Sequence, residues 1–212
     1  MRVEIASGKA DSYMRALLDR HDDPVLLEME EYASREHFPI VNRHAGVTFE
    51  ILARAIGARR VFELGSGYGY SAFWFARAVG ENGEVHCTDT DAGNAKKAKE
   101  FLSRANLWKV ITFHVGDAVT SLRRVGGEWD IIYNDIDKEG YPIAWKFARN
   151  HLRVGGLYIC DNVLQVGNAP RELGHRWAEA IRKHNEIIAS DSRYLSSILP
   201  IREGLMVAYR LY

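Results

Sequence analysis

"VFELGSGYGYSAFWFA" (Val61–Ala76) decides how this chain folds. An apolar run enters a turn with three glycines, Gly65, Gly67 and Gly69, and leaves into a helical pattern. Glycine tolerates positive φ and lets a ligand come close to the backbone. A strand, a glycine turn and a helix in that order therefore predict a nucleotide-holding corner. A dinucleotide fingerprint would place a small residue at position 70, where the helix packs on the strand. Tyr70 stands there instead, and a glycine sits one residue early. Glu63 adds a carboxylate at the turn. Both features disfavour a pyrophosphate and favour a ligand that carries a cationic group.

Around this corner, strand-like and helix-like patterns alternate. Strands are expected at 59–65, 84–89, 110–115, 130–135 and 155–161, with helices at 69–80, 92–105, 118–124, 141–152 and about 172–188. Helical patterns at about 10–20, 24–36 and 43–57 come first, and "RYLSSIL" and "GLMVAYRLY" read as an antiparallel closing pair. Such alternation predicts an α/β fold with a mostly parallel sheet, right-handed crossovers and helices on both faces. We expect one domain over 1–212, with a helical cap at 1–57 and a core at 58–212.

Composition narrows the function classes. Among 212 residues, Lys+Arg and Asp+Glu each number 28, so the formal net charge is zero and bulk nucleic-acid binding has no footprint. Cys87 and Cys160 each end an apolar run and read as buried free thiols in a reducing compartment. No run approaches the roughly 18 apolar residues of a membrane span, and the N-terminus has no signal-peptide core. The expectation is a soluble, cytoplasmic protein with no membrane partner.

Ligands of parallel sheets bind at the carboxyl ends of the strands, so the chemistry is sought there. Asp89 ends the second strand and suits two ribose hydroxyls, although a turn acid reads the same; Asp91 reads as a helix N-cap. Asp117 can bond an adenine amino group, with Ala118 against the ring, or cap the next helix. The fourth strand ends in "YNDIDKEGY" with Asp135, Asp137 and Lys138, and the fifth in "CDNV" with Asp161 and Asn162. Singly, each acid is an ordinary solvated loop residue. Together, Asp135, Asp161 and Asn162 form an oxygen-only donor set, which suits a hard cation such as Mg²⁺.

With these residues in place, the chain resembles the metal-dependent, S-adenosylmethionine-dependent O-methyltransferases of the catechol and caffeoyl-CoA type. "FELGSGYGYS" is similar to the family's E-x-G-x-x-x-G-Y-S turn, and "NDIDKEGY" to its D-A-D-K-x-x-Y segment. "GGLYICDNVL" resembles its G-G-x-x-x-x-D-N-x-L, and "DSRYLSSILPIREGLMVA" its closing D-x-R…L-P-x-x-D-G-L. The resemblance implies a Rossmann-like methyltransferase fold: a central, mostly parallel seven-stranded sheet with an antiparallel C-terminal strand and an N-terminal helical lid. It implies S-adenosylmethionine as methyl donor and Mg²⁺ or a similar divalent cation. Asp135, Asp161 and Asn162 match metal ligands, and Lys138 matches the general base, working beside Asp135. Glu63, Gly65, Ser66, Gly67 and Ser71 match the turn that takes the methionine end, and Val41 a lid contact. Asp89 matches the ribose acid, Ala118 and Asp117 the adenine neighbours, and Asp135 and Asp137 further cofactor-side contacts. Departures are Asn134 at an apolar position, Gln165 for a tryptophan, Val166 for a polar residue and Glu203 for an aspartate.

The expected acceptor is a catechol-like vicinal diphenol or related chelating small molecule. Two other readings compete: methylation of a hydroxylated base in tRNA, and a cofactor-binding module without catalysis. Zero net charge weighs against the first, and Asp135, Lys138, Asp161 and Asn162 against the second. Arg171, His175 and Arg176 can face an anionic part of the acceptor, and Trp177 is the tryptophan expected nearest the site. A homodimer follows from the resemblance alone.

Overall fold

A computed structural model describes residues 13–14, 16–18, 23–165 and 171–212, with the backbone alone for 171–175. Residues 13–14 and 16–18 are helical, so the helix expected over 10–20 lies only in part within the described residues. The helices are α1 (Pro24–Glu36), α2 (Arg43–Ala55), α3 (Tyr70–Val79), α4 (Ala92–Arg104), α5 (Ala118–Val125), α6 (Tyr141–Ala148) and α7 (Arg171–Ser190). The strands are β1 (Arg60–Leu64), β2 (Glu84–Asp89), β3 (Ile111–Val115), β4 (Trp129–Asn134), β5 (Leu152–Cys160), β6 (Tyr194–Leu199) and β7 (Leu205–Arg210).

One sheet holds all seven strands in the order β3-β2-β1-β4-β5-β7-β6. The first five pair in parallel, and β7 runs antiparallel to both β5 and β6. This is the expected Rossmann-like sheet. The order reverses between β1 and β4, so a crevice opens outside their carboxyl ends.

Side chains alternate across the sheet with a period of two. Val61 and Tyr133 join a core with Phe49 of α2 and Phe73 and Phe75 of α3. Phe62 and Ile132 face the other way, into a core with Trp145 of α6 and Ile181 of α7. Phe49 stacks on Phe75 at 5.3 Å and tilts against Tyr133 at 4.8 Å, which locks the N-terminal helices onto the sheet. Cys87 and Cys160 are buried free thiols, as expected. No described helix is long and apolar enough to cross a membrane.

Local chemistry sets the ends of the elements. Asp23, Asn42, Asp91 and Asp117 each accept a hydrogen bond from a backbone N–H of the helix that follows. One expectation needs correction. The helix expected over 141–152 stops at Ala148, and residues from Leu152 onward belong to β5. Leu152 pairs with Trp129, and a register shift between Trp129 and Ile131 takes up the extra residues. Gly155 sits there at φ 79°. The apolar periodicity continued past the true helix end because both stretches are buried.

Gly65 ties the two halves of the sheet together at the crevice. Its φ is 86°, and a Cβ there would lie 2.7 Å from the Asp135 carbonyl oxygen. Asp135 N–H in turn donates to Leu64 O at 2.8 Å, so the ends of β1 and β4 touch backbone to backbone. Gly65→Ala is therefore expected to destabilise the protein by about 2–4 kcal/mol, from left-handed strain and overlap together. A urea midpoint equal to that of the wild type would refute this.

Candidate active site

The crevice is a cavity of about 670 Å³ that runs from the glycine turn to the ends of β4 and β5. Val41, Gly65, Ser66, Gly67, Ser71, Asp89, Asp117 and Ala118 line its glycine-turn end. Asp135, Asp137, Lys138, Asp161 and Asn162 line the other end. The residues matched from sequence to the cofactor and the metal thus meet in one place, with one exception.

The exception is Glu63. It is fully buried and is not on the cavity wall. Ser66 and Ser71, which are on the wall, set their hydroxyls near it, and Cys87 Sγ donates to its Oε2 at 3.5 Å. Its Oε1 has no hydrogen-bond partner among the described residues. Burial pushes the carboxyl up to about 7, against the pull of the serine hydroxyls. Among the described residues no Lys, Arg or His forms an ion pair with it.

The turn itself is sewn to β2. Gly65 N–H donates to Thr88 Oγ1 at 3.0 Å, and that hydroxyl donates to Glu63 O at 2.8 Å. Ser66 N–H donates to Thr88 O at 2.7 Å. Asp89 spends Oδ1 on Asp91 N–H at 2.8 Å and Asn94 Nδ2 at 3.1 Å, which holds its carboxylate at the crevice. Asp117 caps α5 through Thr120 N–H at 2.7 Å and lines the cavity as well, so both roles open to it in the sequence are compatible.

At the far end two cations hold the oxygen set. Lys138 Nζ donates to Asn162 Oδ1 at 2.7 Å and to Asp135 Oδ1 at 3.3 Å. Lys138 opens a single 3-10 turn that leads straight into α6, which aims it across the strand ends. Arg202 Nη1 donates to Asp161 Oδ2 at 2.6 Å. Asp161 is 1% exposed, and its Oδ1 has no hydrogen-bond partner among the described residues. Burial pushes both carboxyls up, Asp161 to about 6, against the cations beside them. Tyr141 Oη donates to Asp161 O at 2.9 Å, and Asn185 Nδ2 to Val163 O at 2.8 Å, so α6 and α7 clamp the loop after β5. Asn162 takes φ 58° in that loop, a left-handed conformation that asparagine tolerates better than most residues.

These donors fit a hard cation: two carboxylates, an amide oxygen, and an unpartnered buried oxygen on Asp161. Among the described residues no group of three or more His, Cys, Asp and Glu side chains is placed to hold a metal, and here the third donor is an amide.

The N-terminal helices close one wall. Tyr68 Oη donates to Met29 O at 2.8 Å, and Tyr70 Oη to Glu30 Oε1 at 2.6 Å. Arg43 clamps the same Glu30 at 2.7 Å. Tyr70, the residue that breaks the dinucleotide pattern, thus latches the glycine turn to α1. Trp177 lines the cavity as expected. Arg176 is exposed and not on the wall, while the side chains of Arg171 and His175, and all of Val166, lie outside the described residues. Arg202 is a charged site residue that the sequence reading missed. The signal was present, as a basic residue between Pro200 and Glu203 in the closing motif.

A family model described as O-methyltransferase matches residues 19–211. The chain belongs to that family. It is an S-adenosylmethionine-dependent O-methyltransferase, as the resemblance of its motifs implied. It is 29% identical to a catechol O-methyltransferase of Niastella koreensis over 89% of this chain and 88% of that one. It is 32% identical to a catechol O-methyltransferase of Mycobacterium tuberculosis over 76% and 75%. Among solved structures, an O-methyltransferase from Bacillus cereus in complex with SAH superposes with a TM-score of 0.79, at 26% identity over 89% and 91% of the two chains.

Glu63 makes the stability of this methyltransferase pH-dependent. Its folded pKa lies above its unfolded value, so the ligand-free protein loses stability as pH rises from the unfolded value of 4.5 towards about 7. Glu63→Gln removes that loss. The variant is expected to gain about 2–3 kcal/mol over the wild type between roughly pH 5 and pH 8. Parallel urea curves at the two pH values, with no relative gain, would show that Glu63 is compensated in some other way.

Proposed function

We propose that the enzyme transfers a methyl group from S-adenosylmethionine to one hydroxyl of a vicinal diphenol, with a divalent cation held by Asp135, Asp161 and Asn162. One observation carries this reading. Lys138 Nζ is poised between Asp135 Oδ1 and Asn162 Oδ1, in a cavity continuous with the glycine turn.

The geometry supports a role for each residue. S-adenosylmethionine supplies a methyl group on a positively charged sulfur. Glu63, short of a cation, favours the positively charged end of such a ligand through the layer of Ser66 and Ser71. Asp89 offers its carboxylate to the ribose, and Asp117 with Ala118 borders the base. Val41 and the chain after α1 cover the donor from the side of the cap.

At the far end a phenol is mostly neutral at pH 7, its pKa being about 10. When bound, a divalent cation supplies charge that lowers the pKa of a hydroxyl next to it. Lys138 Nζ is the group placed to take the proton. Asp135 and Asn162 hold that amine within reach of the acceptor hydroxyl. Asp161 offsets positive charge from below, where it is nearly dry. Trp177 and the cap exclude water, so the acceptor oxygen meets the methyl group and not a solvent proton. Fixing both partners in near-attack geometry can supply up to roughly 7–11 kcal/mol of barrier lowering.

The curated relatives named catechol O-methyltransferase support a diphenol as the acceptor. The test is methyl transfer from labelled S-adenosylmethionine to simple catechol, with bulk tRNA as a control acceptor, with and without EDTA. EDTA is expected to abolish transfer, and Mg²⁺ to restore it. Lys138→Ala is expected to lower kcat by about 10²-fold or more, and Asp161→Ala to remove activity at any Mg²⁺ concentration. Full activity in EDTA, or in both variants, would overturn the reading.

A further inference from the structure

Arg202 has no role in the mechanism above. It lies between β6 and β7 with φ at 50°, in the left-handed region. Arginine seldom adopts that conformation, and where it does the surroundings hold it there. Its principal anchor is Asp161 Oδ2 at 2.6 Å, and only 22% of its side chain is exposed. Its other arm lies 3.6 Å from Glu203, which is 46% exposed. Arg202 lines the cavity together with Lys138 and Trp177.

Arg202 and a divalent cation draw on the same carboxylate, the first through Asp161 Oδ2 and the second through the unpartnered Oδ1. A cation on Oδ1 weakens the hold of Asp161 on the guanidinium and sets like charge beside it. A mostly buried guanidinium without an anion is strongly disfavoured. Glu203 is a poor replacement, because it is half in water and already accepts from Asn162 Nδ2 at 3.4 Å. A carboxylate on the acceptor can instead meet the planar fork of the guanidinium with two parallel hydrogen bonds.

We propose that Arg202 selects the acceptor by exchanging Asp161 for a carboxylate on the substrate, so that vicinal diphenols bearing a carboxylate are preferred over neutral ones. This inference rests on the diphenol reading above. It adds ion pairing and no further covalent step.

The experiment titrates the full chain, loaded with S-adenosylhomocysteine and Mg²⁺, with protocatechuate and with its neutral amide in a calorimeter. Methyl transfer to both compounds follows. The wild type is expected to bind the acid about tenfold or more tightly than the amide. Arg202→Gln should lose that preference, and Arg202→Lys should keep part of it. Arg202→Gly serves as a second charge-free variant, because glycine accepts the left-handed backbone without strain. Without acceptor, Mn²⁺ should bind more tightly to Arg202→Gln and Arg202→Gly than to the wild type, since the internal competitor is gone. Equal binding of acid and amide by the wild type overturns the proposal. So does an acid preference that survives in both charge-free variants, or an unchanged Mn²⁺ affinity. If the wild type methylates neither compound yet binds the acid preferentially through Arg202, the diphenol-methylation reading fails and the role of Arg202 stands.

Discussion

Three carboxyl groups, those of Glu63, Asp135 and Asp161, are packed at the ends of three neighbouring strands, β1, β4 and β5. Burial works against the charge on each of them, and the rest of the site answers that constraint. The answers differ from end to end. Asp135 has Lys138 and Asp161 has Arg202, while Glu63 has hydroxyls and a thiol. The glycine-turn end is therefore short of a positive charge, and the other end is supplied with two internal cations. A ligand that is positive at one end matches the first, and the second holds an oxygen donor set with a cation on each carboxylate.

The backbone makes this crowding possible. Gly65 brings the end of β1 against the Asp135 carbonyl, and Asp161 N–H reaches back to Asn134 O at 3.2 Å. The strand ends thus form one hydrogen-bonded ledge. Around it, α1 and α2 are latched through Glu30, Arg43 and Tyr70, and α6 and α7 through Tyr141 and Asn185. The ledge is held from both faces of the sheet, which keeps the side chains it carries at fixed spacing.

Much of this was legible in the amino-acid order because it is local. The helix caps at Asp91 and Asp117, the strand alternation and the glycine turn each depend on residues a few positions apart. The helix over 141–152 was misjudged because burial looks alike in a helix and in a central strand. Glu63, matched to the methionine end, is fully buried and off the cavity wall, and nothing in the sequence distinguishes a residue on a wall from one beneath it. Arg202 escaped notice because its partner, Asp161, lies 41 positions away.

By itself the sequence determined the alternating α/β fold, the glycine corner and the acidic strand ends, since each follows from short-range periodicity and backbone permissiveness. Only the tertiary structure decided which acids meet which cations. Pairing across β4, β5 and the β6–β7 turn depends on strand order and register, and these arise from burying both faces of one sheet at once. The same packing made Glu63 a buried group without a cation, and made Arg202 a member of the site.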